Sequence, residues 1–392
     1  MSQETVLRNA RIVLDDEIVH GTVQITDGLI CDVSPGVDSA SAVGDDLEGD
    51  YLLPGLVELH TDHLESHMRP RPGTYWDAIP AVISHDAQLA GAGATTVFDA
   101  VRIGKVDGQD DAVDRARAMA DAITHAAEAD ILRADHYLHL RCEVAAPNTV
   151  NEFDGFDDVA TVRLASLMDH TPGQRQYADI EAFRTYLVGR GRVSAEDFEA
   201  LMVRRRRAAD EFSIPNRHAI AQRASDRGLT LAAHDDATVE HVEESHGLGV
   251  RISEFPTTEI AARTARSLGQ LIVLGAPNIV RGGSQSGNVS ASDLLAKNLL
   301  DVLSSDYVPF SPLQAVFRAV AEEVVSLPQA AKLVSTNPAA AVGLSDRGRI
   351  SLGLRGDVVR VHAYTGAPDG QHPAGIPVPV VRGVWRTGRR VA

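Results

Sequence analysis

The sequence predicts an α/β fold, a (β/α)8 TIM-like barrel joined to a small β-sandwich domain built from both chain ends. Three observations carry this. Eight short apolar runs recur between residues 56 and 306, most of them separated by amphipathic stretches, which is the pattern of parallel βα units. The two chain ends instead alternate apolar and polar residues in short runs punctuated by Gly and Asp, which is hairpin chemistry. The first of the eight runs follows a Pro54-Gly55 turn and ends in His60-Thr61-Asp62, and later runs also end in imidazole or carboxylate groups.

At the head of the chain, Val6–Val13, Gly21–Ile25 and Gly28–Val33 read as strands, and Ser39–Asp50 as a small-residue, acidic connector. The tail answers with strands at Gly348–Ile350, Asp357–His362 and Val378–Trp385, and a Pro/Gly-rich loop near 364–377. Residues 1–53 with 345–392 are therefore assigned to the split β domain, and 54–344 to the barrel. The eight barrel strands are placed at Leu56–Asp62, Ala94–Asp99, His136–Val144, Val162–Asp169, Leu229–His234, Arg251–Phe255, Leu271–Ala276 and Asp301–Asp306. Helices are placed at Ala78–Ala92, at Ala112–Ala129, and from an N-cap at Ser194 past Arg204–Arg207. That arginine run reads as a solvated helix face.

Composition narrows the function classes. The 392 residues carry a formal charge of −17 and a pI near 5.3, which argues against a nucleic-acid partner. Two cysteines, Cys31 and Cys142, form no disulfide framework and suit a reducing compartment. The start, Met1-Ser2-Gln3-Glu4, has neither the basic residues nor the apolar run of a signal peptide. No apolar run approaches the ~20 residues a membrane span requires. The expected location is the cytoplasm, with homo-oligomerisation left open.

Chemistry in such a barrel belongs at the C-terminal strand ends. Side chains alternate along a strand, so His60 and Asp62 share a face and can grip one cation. Strand three ends in His139-Leu140-Arg141-Cys142-Glu143, strand four in Asp169-His170, strand five in His234-Asp235-Asp236 and strand eight in Asp306. A lone strand-end histidine is more often structural. Six groups, His60, Asp62, Glu143, His170, His234 and Asp306, at one rim are not, because clustered buried carboxylates require cations. A divalent-metal site, binuclear, is expected. Two bridged cations can hold a hydroxide and lower the pKa of its parent water. No lysine among Lys105, Lys297 and Lys332 falls at a predicted strand end, so Glu143 is the candidate bridge. Asp306 is the candidate catalytic proton acceptor.

The opening Pro54-Gly55-Leu56-Val57-Glu58-Leu59-His60-Thr61-Asp62, the split β domain and Asp306 resemble the amidohydrolase superfamily over essentially the whole chain. Longer strings are more specific. His60-Thr61-Asp62-His63-Leu64-Glu65-Ser66-His67, Arg69-Pro70-Arg71-Pro72-Gly73, His85-Asp86-Ala87-Gln88, His139–Glu143, Asp169–Gln176 and Gly275–Asn288 resemble its phosphonate-utilisation branch. That resemblance implies hydrolysis of α-D-ribose 1-methylphosphonate 5-triphosphate to the 5-phosphate and pyrophosphate. The usual second position of the superfamily opening is His, and here it is Asp62, so Mn or Fe joins Zn as a candidate metal. A small, anionic, phosphorylated sugar would call on Arg69, Arg71, Arg141, Arg175 and Arg281. Ser284 and Ser286 lie in a Gly-rich loop suited to phosphoryl oxygens, and His63, His67 and Gln174 complete the expected substrate contacts. Two alternatives stay open: a cyclic amidohydrolase or deaminase on the same scaffold, and a non-catalytic subunit of a phosphonate-processing complex.

Overall fold

The computed structural model describes residues 4–36, 43–71, 73–104, 112–173, 175, 180, 184, 194, 197–284, 287–366 and 375–392. Five strands lead in: β1 (Glu4–Val13), β2 (Ile18–Thr26), β3 (Leu29–Pro35), β4 (Asp45–Asp46) and β5 (Tyr51–Pro54). The barrel strands are β6 (Leu56–Thr61), β7 (Ala94–Ile103), β8 (Asp135–Glu143), β9 (Val162–Met168), β10 (Thr230–His234), β11 (Ile252–Glu254), β12 (Leu271–Gly275) and β13 (Val302–Ser304). β14 (Val358–Tyr364), β15 (Val378–Arg386) and β16 (Arg389–Arg390) follow.

β6 to β13 pair in chain order, each parallel to the next. An isolated parallel bridge between Thr61 and Asp306 brings the last strand back to the first. There the Asp306 amide donates to the His60 carbonyl at 3.0 Å. The predicted barrel is thus present, and its strand ends lie within two residues of their expected places except at β7. That strand continues to Ile103 because β8 pairs with it residue for residue from Thr96 to Ile103, a tertiary pairing that local composition does not reveal.

Gly55 enters β6 because nothing larger fits. A Cβ there would sit on the Thr95 side chain at the start of β7. Inside the barrel, Val57, Leu59, Phe98, Leu164, Ala232, Ile252, Val273 and Val302 pack together. Phe98 is fully buried, and truncating it to Ala would cost about 3–5 kcal/mol. Residues of opposite parity, such as Val101, Leu138, Leu140 and Leu231, pack outward against helices including Ala78–Gly91.

Both chain ends join in one mostly antiparallel sheet, ordered β16-β15-β14-β5-β1-β2-β3 with β4 beside β1. It curls over, because Ile30 on β3 and Trp385 on β15 share one cluster with Leu7, Ile12, Val23, Leu52 and Val358. The alternate residues Val13, Leu53, Val359 and Val384 face the helical layer, with Leu313 and Val316. Alternation along each strand therefore supplies two apolar faces.

On the long helix Asp197–Asp226, Arg204, Arg206 and Arg207 are exposed as expected. Arg205 departs from that expectation. It is half-buried and lines a recess with Arg102, Glu143 and His170. No helix among the described residues is long and apolar enough to cross a membrane.

Candidate metal centre

The chain turns sharply where the barrel strands end. Asp235 after β10, Phe255 after β11 and Asp306 after β13 all take positive φ, at 60°, 52° and 53°. Aspartate tolerates this region. An aromatic residue does so at a cost of order 1–3 kcal/mol, a pattern concentrated at functional sites. The Phe255 ring is thereby set edge-on against His60 and His234, with centroids 5.0 and 5.3 Å away.

Glu254, the last residue of β11, holds two imidazoles. Its Oε1 lies 2.7 Å from His60 Nδ1 and its Oε2 lies 2.7 Å from His234 Nδ1. A carboxylate accepts, so both Nδ1 atoms carry the proton and both Nε2 atoms the lone pair. Burial pushes the Glu254 carboxyl up, but His60, His139 and the two hydrogen bonds outweigh it and hold it well below the ordinary range. Neighbouring His139 is occupied by the protein itself, with Nδ1 3.0 Å from the Leu59 carbonyl and Nε2 3.0 Å from Ser166 Oγ.

Glu143 treats His170 in the same way. Its Oε1 accepts from the His170 amide at 3.0 Å, and its Oε2 lies 2.8 Å from His170 Nδ1. Arg102 donates to Oε2 at 3.0 Å. Burial alone would raise the Glu143 carboxyl, yet His170 and Arg102 bring it down to about 2. Both Glu143 oxygens are therefore engaged on the Nδ1 side of His170.

On the opposite edges, His170 Nε2 and His234 Nε2 lie 3.9 and 3.4 Å from Asp235 Oδ2. These three residues offer one ligand atom each, all within 4.8 Å of one another. Asp235 is buried, and its Oδ2 has no hydrogen-bond partner among the described residues. An orphan carboxylate oxygen faced by two oriented imidazoles is what a divalent cation fits.

Asp306 completes the rim, with its carboxyl raised by burial against the influence of His60, Arg141 and His234. Asp62 is half-exposed at the head of the helix His63–Met68, 3.7 Å from Arg141.

The structure thus brings His60, His234, His170, Glu143 and Asp306 to one rim, with Asp62 and Arg141 beside them. The other predicted site residues are more dispersed. His63 and His67 turn toward His85 and Gln88 on the helix Ala78–Gly91. Arg69 and Arg71 are exposed, and Arg69 stacks over Tyr75 at 5.7 Å. Arg175, expected at the substrate, is buried and paired with Asp236. Exposed Arg281 reaches Tyr307 Oη at 3.5 Å, and Ser284 is half-buried nearby in the chain. Gln174 and Ser286 lie outside the described residues. Of the lysines, Lys297 pairs with Glu259 and Lys332 with Asp16, and Lys105 lies outside the described residues.

Sequence reasoning misses three residues. Glu254 ends a correctly placed strand, and the strand-end criterion applied to His234 would have found it. Asp235 is visible beside His234 but receives no role. Arg102 lies beyond the predicted end of β7.

Known proteins share this chain's sequence and fold. The model of the amidohydrolase family matches residues 71–392. The alpha-D-ribose 1-methylphosphonate 5-triphosphate diphosphatase of Escherichia coli (strain K12) is 43% identical over 390 residues, 98% of this chain and 100% of that protein. Two solved structures share the fold. The 5-methylcytosine deaminase of Klebsiella pneumoniae superposes with a TM-score of 0.64 at 12% identity, covering 99% of this chain and 98% of its own. The dihydropyrimidinase of Brevibacillus agri NCHU1002 gives 0.63 at 13%, covering 99% and 95%. A parallel eight-stranded barrel with imidazoles and carboxylates at its rim, a sheet built from both chain ends, and a family match over most of the length lead to one conclusion: the chain belongs to the amidohydrolase family.

Proposed function

We propose that this chain is a metal-dependent hydrolase that converts α-D-ribose 1-methylphosphonate 5-triphosphate into the 5-phosphate and pyrophosphate. The full-length 43% identity to the Escherichia coli diphosphatase carries this reading. The oriented imidazoles and the orphan Asp235 oxygen at the barrel rim support it chemically.

His170, His234 and Asp235 would hold one divalent cation, and His60, Asp62 and Asp306 would complete a binuclear set. Zinc suits the imidazole-rich donors, with Mn or Fe as alternatives given the carboxylates. Glu143 could serve as the bridge only by releasing His170, from whose Nδ1 it now accepts. When bound, the metal acidifies water and withdraws charge from a phosphoryl oxygen.

The protein's own groups do the remaining work. Glu254 and Glu143 orient the imidazoles, and Phe255 shields them. The Asp306 carboxyl, raised by burial, is suited to take a proton from the attacking water. Arg141 at the rim, and the exposed Arg69, Arg71 and Arg281 farther out, would receive the phosphate and phosphonate charges. The free thiols Cys31 and Cys142 fit a cytoplasmic setting.

The test is phosphorus NMR of the metal-loaded protein with the triphosphate. Equal growth of pyrophosphate and 5-phosphate signals is expected, abolished by a chelator and restored by added metal. Intact triphosphate under those conditions, with ammonia released from a cyclic amide or nucleobase instead, would overturn the proposal.

A further inference from the structure

The helix His63–Met68 and the helix Ala78–Gly91 face each other through histidines that the rim does not use. His63 and His67 are four residues apart and so share one helix face. His85 meets them from the other helix. The ring centroids are 5.1 Å apart for His63–His67, 5.7 Å for His67–His85 and 6.4 Å for His63–His85. Imidazoles sharing a zinc ion at about 2.0–2.1 Å have centroids roughly 5 Å apart, so His63 and His67 already have that spacing and His85 would close on them by about 1 Å.

His85 is fully buried. Its Nε2 lies 2.7 Å from Asp99 Oδ1, so Nε2 donates and Nδ1 keeps the lone pair. That Nδ1 is buried without a hydrogen-bond partner among the described residues. A buried acceptor left unmet carries its full desolvation penalty, which a bound cation would remove. Asp99 is pinned from behind, because its Oδ2 accepts from His136 Nδ1 at 2.7 Å. A carboxylate behind an imidazole fixes the tautomer and raises ligand basicity. His67 is oriented too, with Nε2 2.9 Å from Gln88 Oε1. An amide oxygen accepts, so His67 Nδ1 also keeps its lone pair.

We propose that His63, His67 and His85 form a second cation site for a transition metal of the zinc class. Three neutral imidazoles favour zinc, nickel or copper over magnesium or calcium. The site borders the rim where His63 follows Asp62 in the chain, but its buried half lies outside the barrel interior. Asp99 points outward from β7, since its neighbour Phe98 fills the barrel interior while Val101 packs with the helices. The alternative grouping of His85, Asp99 and His136 is already closed by two 2.7 Å hydrogen bonds.

The experiment counts metal rather than turnover, so failure of the diphosphatase reading leaves it intact. Chelator-stripped protein is titrated with Co(II), and bound equivalents are measured by elemental analysis together with the visible spectrum. H63Q and H67Q should each bind one equivalent fewer than wild type. H234N/H67Q should likewise bind one fewer than H234N, which shows that the lost ion is not at the rim. Circular dichroism checks that each variant is folded. Unchanged stoichiometry and cobalt spectrum in H63Q and H67Q would overturn the site.

Discussion

His234 Nδ1 and Glu254 Oε2 lie 2.7 Å apart, and this contact turns the Nε2 edge of the imidazole toward Asp235, where the proposed metal would bind. The same carboxylate holds His60 through its other oxygen. Glu254→Gln replaces one acceptor with an NH2 group that opposes an imidazole N–H. Metal affinity should fall by about 10–100-fold, the usual effect of losing such a partner. A competing chromophoric chelator measures it, and wild-type affinity would show that the contact orients nothing.

Asp306 should matter more for rate than for substrate binding. Asp306→Asn cannot accept a proton, so kcat for pyrophosphate release should drop by about 10²–10⁴-fold. Because Asp306 is also a proposed ligand, metal content is measured in the same samples. A variant that keeps both its metal and its rate would remove Asp306 from proton transfer.

Arg281 is exposed and touches Tyr307 Oη at 3.5 Å, a long contact that leaves its guanidinium able to meet an anionic substrate. Arg281→Ala should lower kcat/KM by roughly 10–100-fold, the worth of about 1.5–3 kcal/mol for a hydrogen bond to a charged group. The loss should shrink as salt rises. Steady-state kinetics at two ionic strengths test this, and an unchanged kcat/KM would place Arg281 outside the substrate site.

Asp135 ties the barrel to the segments near the tail. It lies 2.7 Å from both Arg347 and Arg355 and 3.2 Å from Arg386. Burial pushes its carboxyl up, but the three arginines prevail and lower it below the ordinary value. A depressed folded pKa contributes stability above the unfolded value of about 3.9, which is lost as pH falls through the lower folded value. Asp135→Asn should cost about 1.5–3 kcal/mol near neutral pH, the worth of hydrogen bonds between charged groups at a half-buried site, and less in acid. Denaturant titrations of both proteins at neutral and acidic pH test the sign. A difference that grows on acidification would contradict it.

Much of the candidate site was legible because barrel chemistry sits where strands end, and strand ends can be read locally. His60, His170, His234 and Asp306 are candidates on that ground, and the fold brings them to one rim. Glu254 is legible on the same ground, since it ends a strand that the sequence places correctly. Arg102 shows a real limit. The extension of β7 comes from pairing with β8, some 40 residues on, and no local pattern encodes it. Arg175 illustrates the converse, because a loop arginine looks available until its buried partner Asp236 is known.

Periodicity and turn chemistry by themselves determined the α/β class, the strand-end placement of the candidate ligating residues and the two-ended β sheet. These are short-range properties, written in every second or every third to fourth residue. Tertiary structure alone decided how each side chain is used: His60 meets Glu254 from 194 positions away, and barrel closure brings Asp306 back to His60. Hydrogen-bond partnership depends on ångström-scale distance between chain segments, and that distance exists only once the cylinder has closed.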